Sequence, residues 1–298
     1  MLNLLVAYPY FKSAGFTDTI KQRIRDSKDI RFILDSGAFS AFNSGHEVDL
    51  NEYNTFLKEN EDVYDWAIQL DVVGNSEETI KNLNIQLDKG LRVSPVFTRG
   101  MAYEYGREIQ KHHELVFFGG VKMGTGGEIN KYAPRYIKKL EVEGIDLKNK
   151  AHILGYTADS LIKTFKPFSC DSSSLSSIGR YGILGLYDGF GKVKNIDRKS
   201  TKINGMNYIR SLLIKNKVDP NLYEFIMKPS NFDYIQQKEF TLEKNSNLLF
   251  SLTCLAYVYK MIDVEKHIGT KLFLAINNID TLNVVLGAYN YAKSMGLK

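Results

Sequence analysis

The chain has 298 residues, of which 44% are hydrophobic and 24% charged, a composition typical of a folded globular protein rather than a disordered one. It contains no apolar run of about 18 residues that could cross a membrane, and its first residues lack the basic start and cleavage site of a signal peptide. We therefore expect a cytoplasmic protein with no membrane partner. The two cysteines, Cys170 and Cys254, are too few for a disulfide framework or a zinc site, so we expect no metal and no cofactor.

The net charge of +5 is unevenly distributed along the chain. Residues 1–191 have a balance of −2, whereas residues 192–298 have a balance of +7. A cluster of basic residues begins in KVKNIDRKSTK, and such a cluster is typical either of a segment that contacts phosphates or of a solvated loop. The candidate nucleic-acid-binding residues are Arg180, Lys192, Lys194, Arg198, Lys199 and Lys202.

Short apolar runs alternate with amphipathic helical stretches over the first two-thirds of the chain, a pattern typical of repeated βα units. One such stretch is NSEETIKNLNIQLDKG, in which Asn75 or Ser76 can cap a helix that Gly90 ends. Eight units predict a (β/α)8 TIM barrel, although an open doubly wound sheet has the same local pattern. The eight predicted strands begin at Leu2, Arg31, Asp65, Arg92, Leu115, Lys150, Pro167 and Gly182.

Beyond about residue 200 the pattern changes to longer helical stretches. Three of these are INGMNYIRSLLIKNK, SNLLFSLTCLAYVYKMIDVEKH and TLNVVLGAYNYAKSMG. We therefore predict a catalytic barrel over residues 1–200 and a C-terminal helical appendage over residues 201–298, which packs on the barrel and is a candidate for nucleic-acid contact.

Three aspartates follow apolar strands and are the candidate chemical groups. Asp35 follows the second strand, Asp71 the third and Asp171 the seventh. Active sites of barrels collect at the carboxyl ends of the strands, so these acids are expected on one rim. Paired carboxylates there can act as nucleophile and general acid or base, as in glycoside chemistry. The alternative is that Asp35 and Asp171 only cap the segments that follow them.

Other strand-end residues are candidates for binding a flat ligand such as a nucleobase. Glycines at the end of strand five would let the ligand approach the backbone closely, or they would serve only a tight turn. Aromatic and apolar side chains near the strand ends could stack on a base, although most aromatics in a barrel belong to its core. The candidate base-binding residues, besides Asp71, are Ser36, Phe39, Phe97, Gly119, Gly120, Met123 and Tyr156. The five histidines form no metal set, and there is no phosphate-binding loop of the G-x-x-x-x-G-K-[ST] kind.

Five segments in order, LDSGAFSAF, QLDVVG, FFGGVKMG, HILGY and FSCDSSS, resemble the tRNA-guanine transglycosylase superfamily across residues 30–175. The resemblance implies that Asp35 is the acid/base and that Asp171 attacks the sugar C1′. It also implies that Asp71 with Gly119 and Gly120 reads the base edge.

The chain departs from the tRNA enzymes in lacking their C-terminal zinc site and in being shorter, and in both respects it is similar to the DpdA-type branch that acts on DNA. Its strand-four segment reads SPVFTRG and lacks the family's base-reading glutamine, and Asp171 follows Cys170, whereas the family's nucleophile precedes its cysteine.

The resemblance implies base exchange on DNA, with a free 7-deazaguanine as the incoming base. Four alternatives stay open. They are a DNA glycosylase that excises a modified base in defence against phages, a tRNA-exchanging enzyme, a non-catalytic nucleic-acid-binding barrel, and a metabolic barrel enzyme that grips a phosphate through GGVKMGTGG.

Overall fold

A computed structural model describes residues 1–12, 16–26, 29–121, 127–172, 174–175, 183–197, 205–228 and 239–296. The chain divides into two compact units. The first contains Met1, Asn3–Ser172 and Thr270–Phe273, and the second contains Leu2, Ser173–Gly269 and Leu274–Lys298.

The first unit is built on an eight-stranded sheet with helices between the strands. The strands of the chain are β1 (Leu2–Ala7), β2 (Ile30–Asp35), β3 (Trp66–Ala67), β4 (Val96–Phe97), β5 (Val116–Phe118), β6 (Ala151–Ile153), β7 (Ser169–Ser172), β8 (Ile183–Gly189), β9 (Lys192–Asp197) and β10 (Lys271–Ile276). The sheet order is β3-β2-β1-β10-β7-β6-β5-β4. The β2–β3, β4–β5, β5–β6 and β6–β7 pairs are parallel, so the α/β architecture with a parallel sheet is confirmed.

Helices follow most strands of the sheet. Those of the first part of the chain are α1 (Tyr8–Phe11), α2 (Phe16–Asp26), α3 (Ala38–Asn43), α4 (Leu50–Glu59), α5 (Ser76–Asp88), α6 (Tyr103–His112), α7 (Gly127–Val142), α8 (Leu147–Lys150) and α9 (Asp159–Phe165). The predicted helix start near residue 75 is confirmed, because the Asn75 side chain accepts a hydrogen bond from the Glu78 amide at 3.1 Å. Its end is confirmed too, since Gly90 follows α5 with φ +71°.

The sheet is curled rather than flat. Trp66 on β3 and Phe273 on β10 have ring centroids 6.4 Å apart, although three strand spacings, or about 14 Å, separate their strands along the sheet. A flat sheet could not bring these rings together. The two outermost strands also approach each other, since Ile68 and Ser94 form a parallel bridge just beyond β3 and before β4. Aromatic rings from distant strands thus pack together on one face of the sheet.

The prediction that the segment from Gly182 forms the eighth strand of the sheet is wrong. That place belongs to β10, which lies between β1 and β7. The predicted segment instead forms β8, which pairs in antiparallel fashion with β9 as a hairpin. The physical reason is the short glycine-containing turn after β8, which returns the chain at once instead of leading into a helix.

The second unit combines this hairpin with helices. The helices are α10 (Met206–Lys215), α11 (Tyr223–Ile226), α12 (Leu248–Ile268) and α13 (Ile279–Ser294), with a 3-10 turn at Pro220–Leu222. The three long helices coincide with the predicted ones. The hairpin packs on α12, where the Gly185 amide donates to the Thr253 hydroxyl at 3.0 Å. No described helix is both long and apolar enough to span a membrane.

Candidate active site at the carboxyl ends of the strands

Asp35, Asp71 and Asp171 are all placed by strands of the one sheet. Asp35 is the last residue of β2, Asp171 lies within β7, and Asp71 lies four residues beyond the end of β3. In parallel sheets the carboxyl ends of the strands share one edge, where ligands bind. The three carboxylates are close enough that the charges of Asp71 and Asp171 both act on Asp35.

Asp35 is a carboxyl group held in an unfavourable environment for its charge. Burial raises its pKa to about 7, and the negative charges of Asp71 and Asp171 add to the rise. A hydrogen bond from the Gly37 amide to Oδ1 at 2.9 Å acts in the opposite direction. Asp35 therefore exchanges its proton near neutral pH, as a general acid or base requires.

The turn after Asp35 depends on glycine. Gly37 has φ +79°, and a Cβ there would clash with the ring of Pro9. Only glycine combines this backbone conformation with so close an approach. The turn that brings the Gly37 amide to Asp35 is therefore specified by the residue type at position 37.

Asp71 is linked to the same turn through Ser36. The Ser36 hydroxyl, fully buried, donates to Asp71 Oδ1 at 3.3 Å and lies 3.3 Å from the Ala38 amide. Burial raises the pKa of Asp71. Asp71 and Asp35 thus form one cluster in which neither carboxyl group is fully solvated.

Side chains from α5 hold the backbone on either side of Asp71. Gln86 Oε1 accepts from the Leu70 amide at 3.0 Å, Asn82 Nδ2 donates to the Leu70 carbonyl at 3.1 Å, and the Thr79 hydroxyl accepts from the Val72 amide at 2.9 Å. These polar side chains are buried. Sequence reasoning missed them, although polar residues at positions 79, 82 and 86 of one helix face were the available signal.

Asp171 is held by two donors at a single oxygen. Its Oδ1 lies 3.1 Å from His152 Nε2 and accepts from the Gly155 amide at 2.8 Å. The described residues make no further hydrogen bond to this carboxylate. Both contacts therefore fall on the same carboxylate oxygen.

His152 connects Asp171 to Ser169 in the interior. Its Nδ1 lies 2.9 Å from the Ser169 hydroxyl, and the ring lies beside Phe117 with centroids 4.7 Å apart. A proton on Nε2 would be donated to Asp171, while the Ser169 hydroxyl can either donate to Nδ1 or accept from it. Ser169 is fully buried, so only the Asp171 end of this series of contacts is partly exposed.

Sequence reasoning did not connect His152 to Asp171. The spacing of Ser169 and Asp171 puts both side chains on one face of β7, and His152 pairs with Ser169 across the β6–β7 register. A polar residue inside an otherwise apolar strand was the signal that could have found it.

The other predicted base-binding residues have different surroundings. Phe39 is 67% exposed on α3, and Tyr156 is nearly buried after β6. Gly119 donates its amide to the Phe97 carbonyl at 2.9 Å, so this N–H is not available to a base. Gly120 is exposed with φ +70°. Met123 lies outside the described residues.

The prediction that Phe97 stacks on a base is wrong. Its side chain is 1% exposed and packs against Tyr103 and Phe118, with ring centroids 6.1 and 5.4 Å away. Gly106 of α6 also lies against this ring. Phe97 is therefore a core residue between the sheet and its helices.

Among the predicted nucleic-acid-binding residues, Lys192 and Lys194 are exposed on β9. They therefore lie on a strand rather than in a loop. The remaining candidates, Arg180, Arg198, Lys199 and Lys202, lie outside the described residues. Within the described ranges no group of three or more His, Cys, Asp or Glu is arranged to hold a metal ion.

A cleft of about 620 Å³ lies beside the Asp35 turn. Its walls include Tyr8, Pro9, Ser40, His46 and Glu52, and not the three aspartates. Pro9 also contacts Gly37, so the cleft adjoins the carboxylate cluster without containing it. Its size is that of a site for a small molecule.

No protein-family model, no curated protein and no solved structure matches this chain.

Proposed function

We propose that the chain is an enzyme that cleaves the N-glycosidic bond of a base flipped out of DNA, at the carboxyl ends of a closed (β/α)8 barrel. The contrast between Asp35 and Asp171 carries this proposal. One carboxyl group exchanges a proton near pH 7, and the other is fixed at one oxygen by two N–H donors. In such a pair, one carboxyl group can act as the general acid or base and the other as the nucleophile at a glycosidic bond.

Asp171 is the nucleophile or the charge stabiliser in this scheme. The contacts of His152 and Gly155 to Oδ1 hold the carboxylate still, while Oδ2 faces C1′ of the flipped nucleotide. As the glycosidic bond breaks, positive charge develops on the sugar, and a fixed carboxylate stabilises it without reorganisation. Flipping is required because neither face of C1′ can be reached within a stacked duplex.

Asp35 transfers protons to and from the base in this scheme. In its protonated form it donates to the leaving base, and the resulting carboxylate then takes a proton from the incoming base or from water. Asp71, held by a 3.3 Å hydrogen bond from Ser36, accepts a hydrogen bond from the edge of the base. Phe39, exposed four residues beyond Asp35, offers a ring on which a base can stack.

Base exchange, with a free 7-deazaguanine as the incoming base, is the first candidate reaction, and distant membership of the transglycosylase superfamily is part of this proposal. Hydrolysis to an abasic site is the second. The end of β4 favours it, because Arg99 lies over the Tyr132 ring at 4.9 Å and the Thr98 amide faces Met101. No amide side chain is offered to a second base there.

The test incubates the protein with natural DNA, hypermodified phage DNA and tRNA, with and without free 7-deazaguanine, and identifies released bases by mass spectrometry. Release without an added base, leaving abasic sites, indicates hydrolysis, and incorporation indicates exchange. Asp171→Asn should lower the rate by at least about a hundredfold. If Asp171→Asn releases bases at the normal rate, the assignment of the nucleophile is wrong.

A further inference from the structure

The tip of the β8–β9 hairpin carries an aromatic side chain with almost no protein around it. Phe190 is 85% exposed, the most exposed of the large hydrophobic residues described. It sits between Gly189 and Gly191, and all three residues have positive φ. Hairpin turns favour Gly, Asn and Asp at such positions, and a bulky residue there is an outlier.

Hydrogen bonds and an ion pair hold the hairpin that carries Phe190. The Asn216 side chain accepts from the Tyr187 amide at 3.0 Å and donates to its carbonyl at 2.9 Å, and Lys215 pairs with Asp188 at 2.7 Å. Burial, with a contribution from the neighbouring Asp263 carboxylate, raises the pKa of the Tyr187 hydroxyl to about 12. The exposed ring of Phe190 therefore lies at the end of a hairpin that several polar contacts hold in place.

Gly191 fixes the tip against α12. A Cβ at this position would lie 2.9 Å from Val264 of that helix, and Gly191 itself is buried. One side of the turn thus packs on the helix. Phe190, one residue earlier, points away from the packing that holds its neighbours.

The charge next to the tip identifies the chemistry of a partner. Lys192 and Lys194 are exposed on the strand that leaves the turn, and the described residues provide no ion pair for either. The nearby acids are already engaged, since Asp188 pairs with Lys215 and Asp263 lies 3.3 Å from His267. An exposed apolar ring beside two lysines that no described acid pairs with suits a polyanion whose bases can stack on it.

We infer that the hairpin tip is a wedge for nucleic acid, in which Phe190 inserts into the base stack while Lys192 and Lys194 contact the flanking phosphates. Apolar side chains inserted between base steps unstack them and fill the space of a displaced base. The observations that support this DNA contact come from the hairpin alone. The inference goes beyond the proposed function, because it would hold whatever reaction the chain catalyses.

The test measures binding of the full chain to a duplex that contains a single abasic-site analogue with 2-aminopurine beside it. Insertion of Phe190 into the gap should change the fluorescence of 2-aminopurine, and Phe190→Ala should weaken binding by about tenfold. Phe190→Trp should retain affinity. Ile214→Ala, which trims an apolar side chain 59% exposed on α10, is the matched control and should bind normally.

The lysines are tested separately by salt dependence. Lys192→Ala with Lys194→Ala should reduce the slope of log affinity against log salt by about 2, whereas Phe190→Ala should leave the slope unchanged. Normal binding and fluorescence in Phe190→Ala would overturn the inference. Equal losses in Phe190→Ala and Ile214→Ala would also overturn it, since they would indicate a general apolar surface for a protein partner.

These measurements are independent of base release. If Asp171→Asn abolishes base release but Phe190→Ala binds and reacts normally, the wedge is wrong and the proposed function stands. If no substrate loses a base but the fluorescence change depends on Phe190, the proposed function is wrong and the wedge stands.

Discussion

Two aspartates of the same sheet edge differ because of what surrounds them. Burial, helped by the repulsion of two acids, raises the pKa of Asp35 to about 7, although one backbone amide donates to it. Asp171 receives a histidine N–H and a backbone N–H at one oxygen. In the proposed reaction the environment, and not the residue type, therefore sets the role of each aspartate, as in other paired carboxylates.

The protonation of Asp35 should govern the pH dependence of base release. The general acid must carry a proton, so the single-turnover rate should fall as pH rises through about 7. Asp35→Asn cannot exchange a proton and should be slow at every pH, without this inflection. A rate that stays constant between pH 5 and 9 in the unmodified protein would show that Asp35 is not the acid.

The Asp35 carboxyl group should lower the free energy of unfolding at alkaline pH. Its pKa is raised on folding, so between about pH 4 and 7 the folded state binds more protons than the unfolded state, and stability falls as pH rises. Asp35→Asn removes this loss and should be more stable than the unmodified protein at pH 8 by about 2 kcal/mol. Urea unfolding at pH 5 and pH 8 measures the difference, which should be smaller at pH 5.

His152 is expected to position Asp171 by donating an N–H from Nε2 to Oδ1. His152→Leu removes the donor to Asp171 and should lower kcat by about a hundredfold with little change in KM. His152→Gln, which keeps an N–H, should recover part of the rate. Nitrogen-15 NMR of the imidazole should show a proton on Nε2. A spectrum without a proton on Nε2 would contradict this role.

At the scale of the element, the sequence indicates strand ends better than strand partners. The ends of β2 and β7 could be predicted because an apolar run stops at an acid, Asp35 or Asp171. The contact of His152 with Asp171 could not be predicted, because it depends on the register in which β6 and β7 pair. Phe97 was misplaced for a related reason, because β4 is only two residues long and offers no alternation that would show which face is buried.

The eighth strand of the sheet was also predicted wrongly, because two segments of the chain have the same apolar pattern. KLFLAI, the sequence of β10, has the apolar signal of a strand, but it lies among long helical stretches. GILGLY has that signal too and comes at the expected interval. Gly189 and Gly191 directly after it indicated a hairpin, and this turn signal was the evidence against a barrel strand.

The turn between β2 and α3 provides a prediction with an internal control. Gly37→Ala must place a Cβ against Pro9 at φ +79°, so it should displace the Asp35 turn and lower both stability and base release. Gly45→Ala has a similar φ of +71° but nothing within 4 Å. It should lose only about 1 kcal/mol and keep its activity. Thermal unfolding and single-turnover rates compare the two variants, and equal effects would exclude the contact with Pro9 as the cause.

For the whole molecule, the order of the chain and the order of the sheet differ in one place. β10 comes after the hairpin and the helices of the second unit, yet it lies between β1 and β7. The sheet cannot be completed until residues 271–276 are available, and without them β1 and β7 each lose a partner. Unpaired strand edges are prone to associate with other chains.

A fragment of residues 1–200, the barrel domain that the sequence predicts, should therefore not fold as an independent domain. It lacks β10 and with it the ring of Phe273, which packs against Trp66 and His152 with centroids 6.4 and 5.8 Å away. We expect the fragment to aggregate, or to unfold in urea without a cooperative transition, whereas the full chain unfolds cooperatively. Cooperative unfolding of the fragment at the midpoint of the full chain would show that β10 is dispensable to the sheet.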